Sequence, residues 1–181
     1  QQCGAPSFTR YSFESARRAS VRSAGASRRC VLMRAVVQRV CSASVTVDGR
    51  TVGSIERGLL VYVGVGRVDT DADVAYIVDK ILHLRLFADG DGKMNLSLND
   101  LSGSVLVVSQ FTLFGDCRRG RRPSYVNASD PETARQQYEA VVARLRRDGL
   151  HVEAGEFRTM MQVDSINDGP VTVLLDSSKM F

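Results

Sequence analysis

The sequence predicts an α+β fold: largely antiparallel β-sheets with two helices packed on one side, beginning at about Met33. Three observations carry this expectation. Segment after segment alternates or clusters β-branched residues, and two stretches repeat apolar residues at helical spacing. Strands and helices do not alternate regularly, as a parallel α/β sheet would require.

The elements follow in order. "RAVVQRV" and "ASVTVDGRTV" read as strands, and Asp48-Gly49 between "SVTV" and "RTVGSI" is a strong hairpin signal. "GLLVYVGV", Gly58 to Val65, is continuously apolar, the mark of a strand covered on both faces. Val74, Ile77, Val78, Ile81 and Leu82 then recur at helical spacing behind Thr70 and an acidic first turn. "ADGDGK" reads as a hairpin turn; as a calcium loop it lacks the closing glutamate and has Lys93 at a ligand position. Val105 to Phe114 reads as a strand interrupted by Ser109-Gln110. A second helix starts at "SDPE", with Ser129 and Glu132 as a capping box, and buries Ala134, Tyr138, Val141, Val142 and Leu145 before Asp148-Gly149. "LHVEAGEF", "TMMQVDSI" and "PVTVLLD" are three further strands, with Asn167-Asp168-Gly169-Pro170 as a turn or a cis-proline corner between the last two.

Composition bounds what such a domain can be. The 181 residues suit a single folded domain over 33–181, and no apolar run reaches the roughly 20 residues of a membrane span. Cys3, Cys30, Cys41 and Cys117 show no paired spacing, so neither a disulfide framework nor a zinc site is expected, and a reducing, cytoplasmic setting fits. The net charge of +4 is local: residues 1–32 hold six arginines and one acid, leaving 18 basic and 19 acidic residues in 33–181. That Arg- and Ser-rich segment reads as disordered; an organelle-targeting peptide and sequence upstream of the native start fit it equally.

The chemistry is narrowed by what is missing. His83 and His151, the two histidines, have no triad or metal spacing, and Gly64-x-Gly66 lacks the third glycine of a dinucleotide loop. No metal or cofactor is expected. Ser109 and Gln110 remain, polar groups where burial demands hydrogen-bond partners; they read either as a satisfied sheet edge or as the floor of a pocket, with the Phe111 and Thr112 N–H groups free for an oxyanion. Beside them Arg118, Arg119, Arg121 and Arg122 fall within five residues of a domain that is otherwise slightly acidic, pointing to a phosphate-bearing partner.

"MRAVVQRVCSASVTVDG", "SQFTLFGD", "RRGRRPSY" and "NDGPVT", in this order, closely resemble D-aminoacyl-tRNA deacylase over 33–181. The resemblance implies a homodimer with active sites at the subunit interface. It implies hydrolysis of the ester joining a D-amino acid, or glycine, to the 3′ end of tRNA, as chirality proofreading for translation. By position, Ser109, Gln110, Phe111 and Thr112 match the family's catalytic motif. Gly169 and Pro170 match a Gly-cis-Pro motif that reaches into the partner's site and excludes L side chains; Asn167 and Met161 line the pocket. Arg119, Arg121 and Arg122 would lie near the tRNA end. Phe157-Arg158-Thr159 and Ser165 depart from the usual pattern and touch pocket size. Two competing readings are a non-catalytic RNA-binding dimer and a small-molecule esterase using Thr112.

Overall fold

A computed structural model describes residues 32–180, so the N-terminal segment, save its last residue, lies outside the described residues. In chain order the elements are β1 (Arg34–Val47), β2 (Arg50–Ile55), β3 (Gly58–Gly64), α1 (Asp71–His83), β4 (Arg85–Ala88), β5 (Met94–Ser97), β6 (Ser104–Ser109), a single 3₁₀ turn (Phe111–Phe114), α2 (Pro131–Arg147), β7 (His151–Ala154) and β8 (Gln162–Asp176).

The main sheet has the order β2-β1-β3-β6-β7, with β8 also pairing β1. β1 runs antiparallel to β2, β3 and β8, whereas β3–β6 and β6–β7 are parallel. The sheet is thus mixed, which corrects the expectation of a largely antiparallel one. Each parallel pair follows a helical connection, and such a crossover is what returns the chain in the same direction.

Local chemistry explains the elements. Asp48 and Gly49 take φ of 48° and 76°, the left-handed pair of a tight hairpin between β1 and β2. The two segments read as separate strands before that turn are one 14-residue strand. Leu59, Val61, Val105 and Val107 join the helix-side core while Leu60, Leu106 and Val108 join a second cluster behind the sheet. Burial on both faces is why β3 and β6 are apolar without interruption. At α1, Asp73 accepts hydrogen bonds from Thr70 N (2.7 Å) and Thr70 Oγ1. At α2 the cap is Asp130, not Ser129: its carboxylate accepts from Glu132 N and Thr133 N at 3.1 and 3.0 Å, while Ser129 N is committed to Val65 O. Tyr138 donates from α2 to Val107 O at 2.8 Å and ties the helix to β6. Asp89 accepts from Asp91 N, Lys93 N and Asn95 Nδ2, so the "DGDGK" carboxylate organises the β4–β5 hairpin.

The sheet curls until it nearly closes. A side chain at Gly53 on β2 would meet Leu106 Cδ1 at 3.1 Å and Ala154 O at 3.2 Å, so glycine there lets β2 fold over towards β6 and β7.

Candidate active site

β6 delivers Ser109 to its C-terminal end, and the strand stops there. Gln110 N still donates to Val63 O at 2.7 Å, after which Phe111–Phe114 winds into the 3₁₀ turn. The expected strand to Phe114 is thereby corrected: Ser109 and Gln110 end a strand and do not interrupt one. The turn packs on Gly64, where a Cβ would lie 2.9 Å from Gln110 O and 3.0 Å from Phe114 Cε2. Phe114 is the buried anchor; Phe111 and Thr112 face solvent. As the first residues of the turn, Phe111 and Thr112 have N–H groups with no partner inside it. Gln110 donates from Nε2 to Thr112 Oγ1.

Among the described residues, neither histidine accompanies Thr112. His151 pairs with Ser104, at the opposite end of β6, roughly 16 Å away at the usual rise of a strand. His83 Nδ1 sits 3.1 Å from Asp79 Oδ1 on α1. Asp116 is closer in sequence, but a two-point hydrogen bond from Arg118 holds its carboxyl well below the usual carboxylate range.

The arginine segment is a small hairpin of its own. Asp116 N donates to Ser124 O at 2.8 Å and Ser124 N returns to Asp116 O at 3.0 Å, with Gly120 at φ 72° at the far end. Arg118 is spent on Asp116, whereas Arg119, Arg121 and Arg122 are exposed and form no ion pair within the described residues. The loop base lies against the 3₁₀ turn: a Cβ at Gly115 would meet Thr112 O, Tyr125 and Pro123 within 3.4 Å, and Tyr125 packs edge-on to Phe111 at 5.1 Å. The structure therefore joins the Ser-Gln segment and the arginines into one region.

Met161 belongs to that region too. Its sulfur would be 2.8 Å from a Cβ at Gly155, whose N–H bonds Val107 O beside the end of β6. The remaining residues expected in the site lie elsewhere. β8 is one 15-residue strand, and Asn167-Asp168-Gly169-Pro170 is a bulge within it, which corrects the expected turn between two strands. Thr172 faces Gln38 and Asn167 faces Val40, so Asp168 to Val171 all stand opposite Arg39. The Gly169–Pro170 peptide is cis, and Gly169 has φ 118°. Asn167 is exposed and accepts from Ser165 Oγ at 3.3 Å.

Sequence reading passed over Arg39. Its Nε lies 3.1 Å from Asp168 Oδ2, its Nη1 donates to Leu86 O, and its Nη2 would stand 3.1 Å from a Cβ at Gly169. The available signal was a cation inside a valine-rich strand, "VVQRV". Of the departures from the family pattern, Arg158 takes φ 65° and Thr159 Oγ1 donates to Glu156 O, while Phe157 before them stacks towards Tyr138 on α2.

The two groups are far apart within one chain. Ser109 shares a row with Val63 and Ala35, four residues along β1 from Arg39, and β8 is three strand steps from β6. At about 3.3 Å per residue and about 4.8 Å per strand, that is roughly 13 Å along and about 14 Å across the sheet.

The geometry is that of a strand-end turn whose first two N–H groups have no partner within it, flanked by an exposed basic hairpin. The family model for D-Tyr-tRNA(Tyr) deacylase matches residues 36–176. A D-aminoacyl-tRNA deacylase of Thermotoga petrophila is 60% identical over 149 residues, 82% of this chain and 100% of that protein. One from Clostridioides difficile is 57% identical over the same share of each chain. The solved structure of a c-Myc DNA unwinding element binding protein superposes with a TM-score of 0.74 at 41% identity, covering 78% of this chain and 97% of that one. A probable eukaryotic D-amino acid tRNA deacylase shares the fold at TM-score 0.71 and 18% identity, over 80% and 98%. The chain belongs to the D-Tyr-tRNA(Tyr) deacylase family, enzymes that hydrolyse D-aminoacyl-tRNA in translation proofreading.

Proposed function

We propose that the chain works as a homodimer that hydrolyses the ester of D-aminoacyl-tRNA, and of glycyl-tRNA, with each site built from two subunits. The separation of the two residue groups carries this reading. Ser109–Thr112 and Gly169-Pro170 are too far apart to serve one ester in a single chain, and a second copy supplies the missing half. The face away from the helices fits a partner: Val36 pairs with Tyr62 and with Leu174, and Leu174 is 57% exposed.

In the assembled site, the Gly169 and Pro170 carbonyls hold the substrate α-ammonium and leave no volume for an L side chain. Met161 and Asn167 line the remainder. The Phe111 and Thr112 N–H groups receive the oxyanion, a contribution typically worth about 10²–10³ in rate per donor. Water attacks, and the terminal ribose 2′-OH assists, since an aminoacyl ester is already activated and asks chiefly for position. Arg119, Arg121 and Arg122 take the phosphates near the tRNA end.

The test sets D-Tyr-tRNA against L-Tyr-tRNA, with wild type and Gly169→Ala, whose added methyl would meet Val171 Cγ2 at 2.9 Å. Rapid loss of the D ester alone, slowed or less selective in the variant, with a dimer by sedimentation, supports the proposal. A dimer that binds tRNA and cleaves neither ester makes it an RNA-binding module. An active monomer removes the cross-subunit site.

A further inference from the structure

Arg34 opens β1 as a charge beside the helix-side core. Its Nε donates to Asp176 Oδ2 at 3.2 Å, and Asp176 is only 1% exposed. The other oxygen of Asp176 accepts from Ser178 N at 2.8 Å and from Ser178 Oγ, so the carboxylate is fixed on both sides. Ion pairs so placed are weak devices for stability, because desolvation offsets most of the attraction. The rest of the guanidinium shows what else this pair does. Nη1 donates to Leu113 O at 2.9 Å, and Cζ lies 5.5 Å from the centroid of the Phe114 ring. Leu113 and Phe114 are the second half of the 3₁₀ turn whose first half presents the Phe111 and Thr112 N–H groups.

We propose that Arg34, held by Asp176, is a positioning residue for the ester site, clamping the Leu113 carbonyl so that the turn's N–H donors stay aimed. This rests on the reading that those N–H groups receive the oxyanion. The turn is gripped from two sides: Gly64 sets how closely it can sit on β3, and Arg34 sets its rotation through a planar fork with fixed donor directions. A lysine ammonium is a compact point charge on a flexible stem, with no planar fork of fixed donor directions.

The experiment uses the full chain with Arg34→Met, Arg34→Lys and Asp176→Asn, reading single-turnover rate and KM for D-Tyr-tRNA, together with amide hydrogen exchange over 110–115. Misaligned catalytic groups cost about tenfold or more in rate, so Arg34→Met lowers kcat by about tenfold with KM changed less than about twofold. Arg34→Lys recovers part of the loss. Asp176→Asn lowers kcat as Arg34→Met does, although it adds positive charge that would tighten tRNA binding if Arg34 were a phosphate contact. In all three, exchange accelerates in 110–115 ahead of the rest of the sheet. Should Arg34→Met fail to fold, the other two variants decide.

Variants that melt near wild type with unchanged kcat and unchanged exchange overturn the proposal. A change in KM and its salt dependence alone assigns Arg34 to RNA instead and equally overturns it. Wild-type protein that leaves the D ester intact removes the deacylase mechanism, while the exchange data still decide whether Arg34 holds the turn.

Discussion

Gly64→Ala tests whether the seat of the 3₁₀ turn governs the chemistry. A methyl at Gly64 would lie 2.9 Å from Gln110 O, 3.0 Å from Phe114 Cε2 and 3.1 Å from Leu113 Cβ. Carbon contacts are optimal at about 3.5–4.0 Å, so relief requires movement of about 0.5 Å. β3 is packed on both faces and Phe114 is 2% exposed, so the side with room to yield is the turn, where Phe111 is 57% exposed. Overpacking of this kind costs about 1–3 kcal/mol. A displacement of about 0.5 Å is the tolerance of a preorganised site, and about 1 Å costs about 10²-fold, so a rate loss of about tenfold is expected. Single-turnover deacylation of D-Tyr-tRNA and thermal melting measure the two effects. Gly90→Ala, with nothing within 4 Å of its Cβ, is the control and leaves both unchanged. A Gly64→Ala protein with a lowered Tm and a wild-type rate constant would refute the argument that the turn's position sets the rate.

Thr112→Ala keeps activity within about tenfold, because a site without a base cannot activate the hydroxyl; loss of a true nucleophile costs about 10⁴-fold or more, and an acyl-enzyme trapped on Thr112 would contradict the water mechanism. Replacing Arg119, Arg121 and Arg122 by Gln weakens tRNA binding and reduces the slope of log K against log salt by up to about 2, at roughly 0.7 per phosphate contact on a single strand; an unchanged slope places the RNA elsewhere. Burial pushes the Asp69 carboxyl up from its ordinary 3.8 to about 7, against the hydrogen bond it accepts from Gly66 N. Between those values the folded chain holds the extra proton, so this group makes stability fall as pH rises through the window and costs nothing below it. Asp69→Asn therefore gains roughly 1 kcal/mol relative to wild type between pH 4 and pH 8, the figure reduced for partial solvent contact. A pH-independent difference in Tm would show that Asp69 does not titrate there.

Much of the fold was legible because its periods are strong. Val74, Ile77, Val78, Ile81 and Leu82 are the buried face of α1, and Tyr138, Val141, Val142 and Leu145 that of α2. Strand ends were harder. "FTLF" is as apolar as "VLVV", and pattern alone does not reveal that Gln110 stops the ladder and that only Phe114 is buried. β8 was cut in two because Asp-Gly-Pro signals a turn, yet in a strand paired along one edge the same residues make a bulge whose extra length faces Arg39. The candidate segments were legible as motifs, but the contacts that seat them were not. Arg34, Arg39, Gly64 and Gly155 reach their roles through contacts made across the sheet, which local sequence does not encode.

On the proposed reading, the same geometry lets the motif residues work without the usual catalytic side chains. Ser109 sits at a strand end, so its backbone is fixed by β3 while the chain beyond it turns freely enough to expose two N–H groups. Those groups lie on a turn seated by Gly64, anchored by Phe114, bonded by Arg34 and braced through Tyr125 by the arginine hairpin. Every restraint acts on backbone position and none supplies a proton acceptor. A site of the proposed kind discriminates by shape and placement, so the proposal expects the residues that matter most for rate to be those that keep the turn and the Gly169-Pro170 bulge in place. On the proposed reading, the bulge completes the site only from a second subunit, and rigidity of the dimer face then becomes part of the catalytic apparatus: loosening Val36, Tyr62 or Leu174 should lower selectivity against L esters before it lowers the rate on D esters.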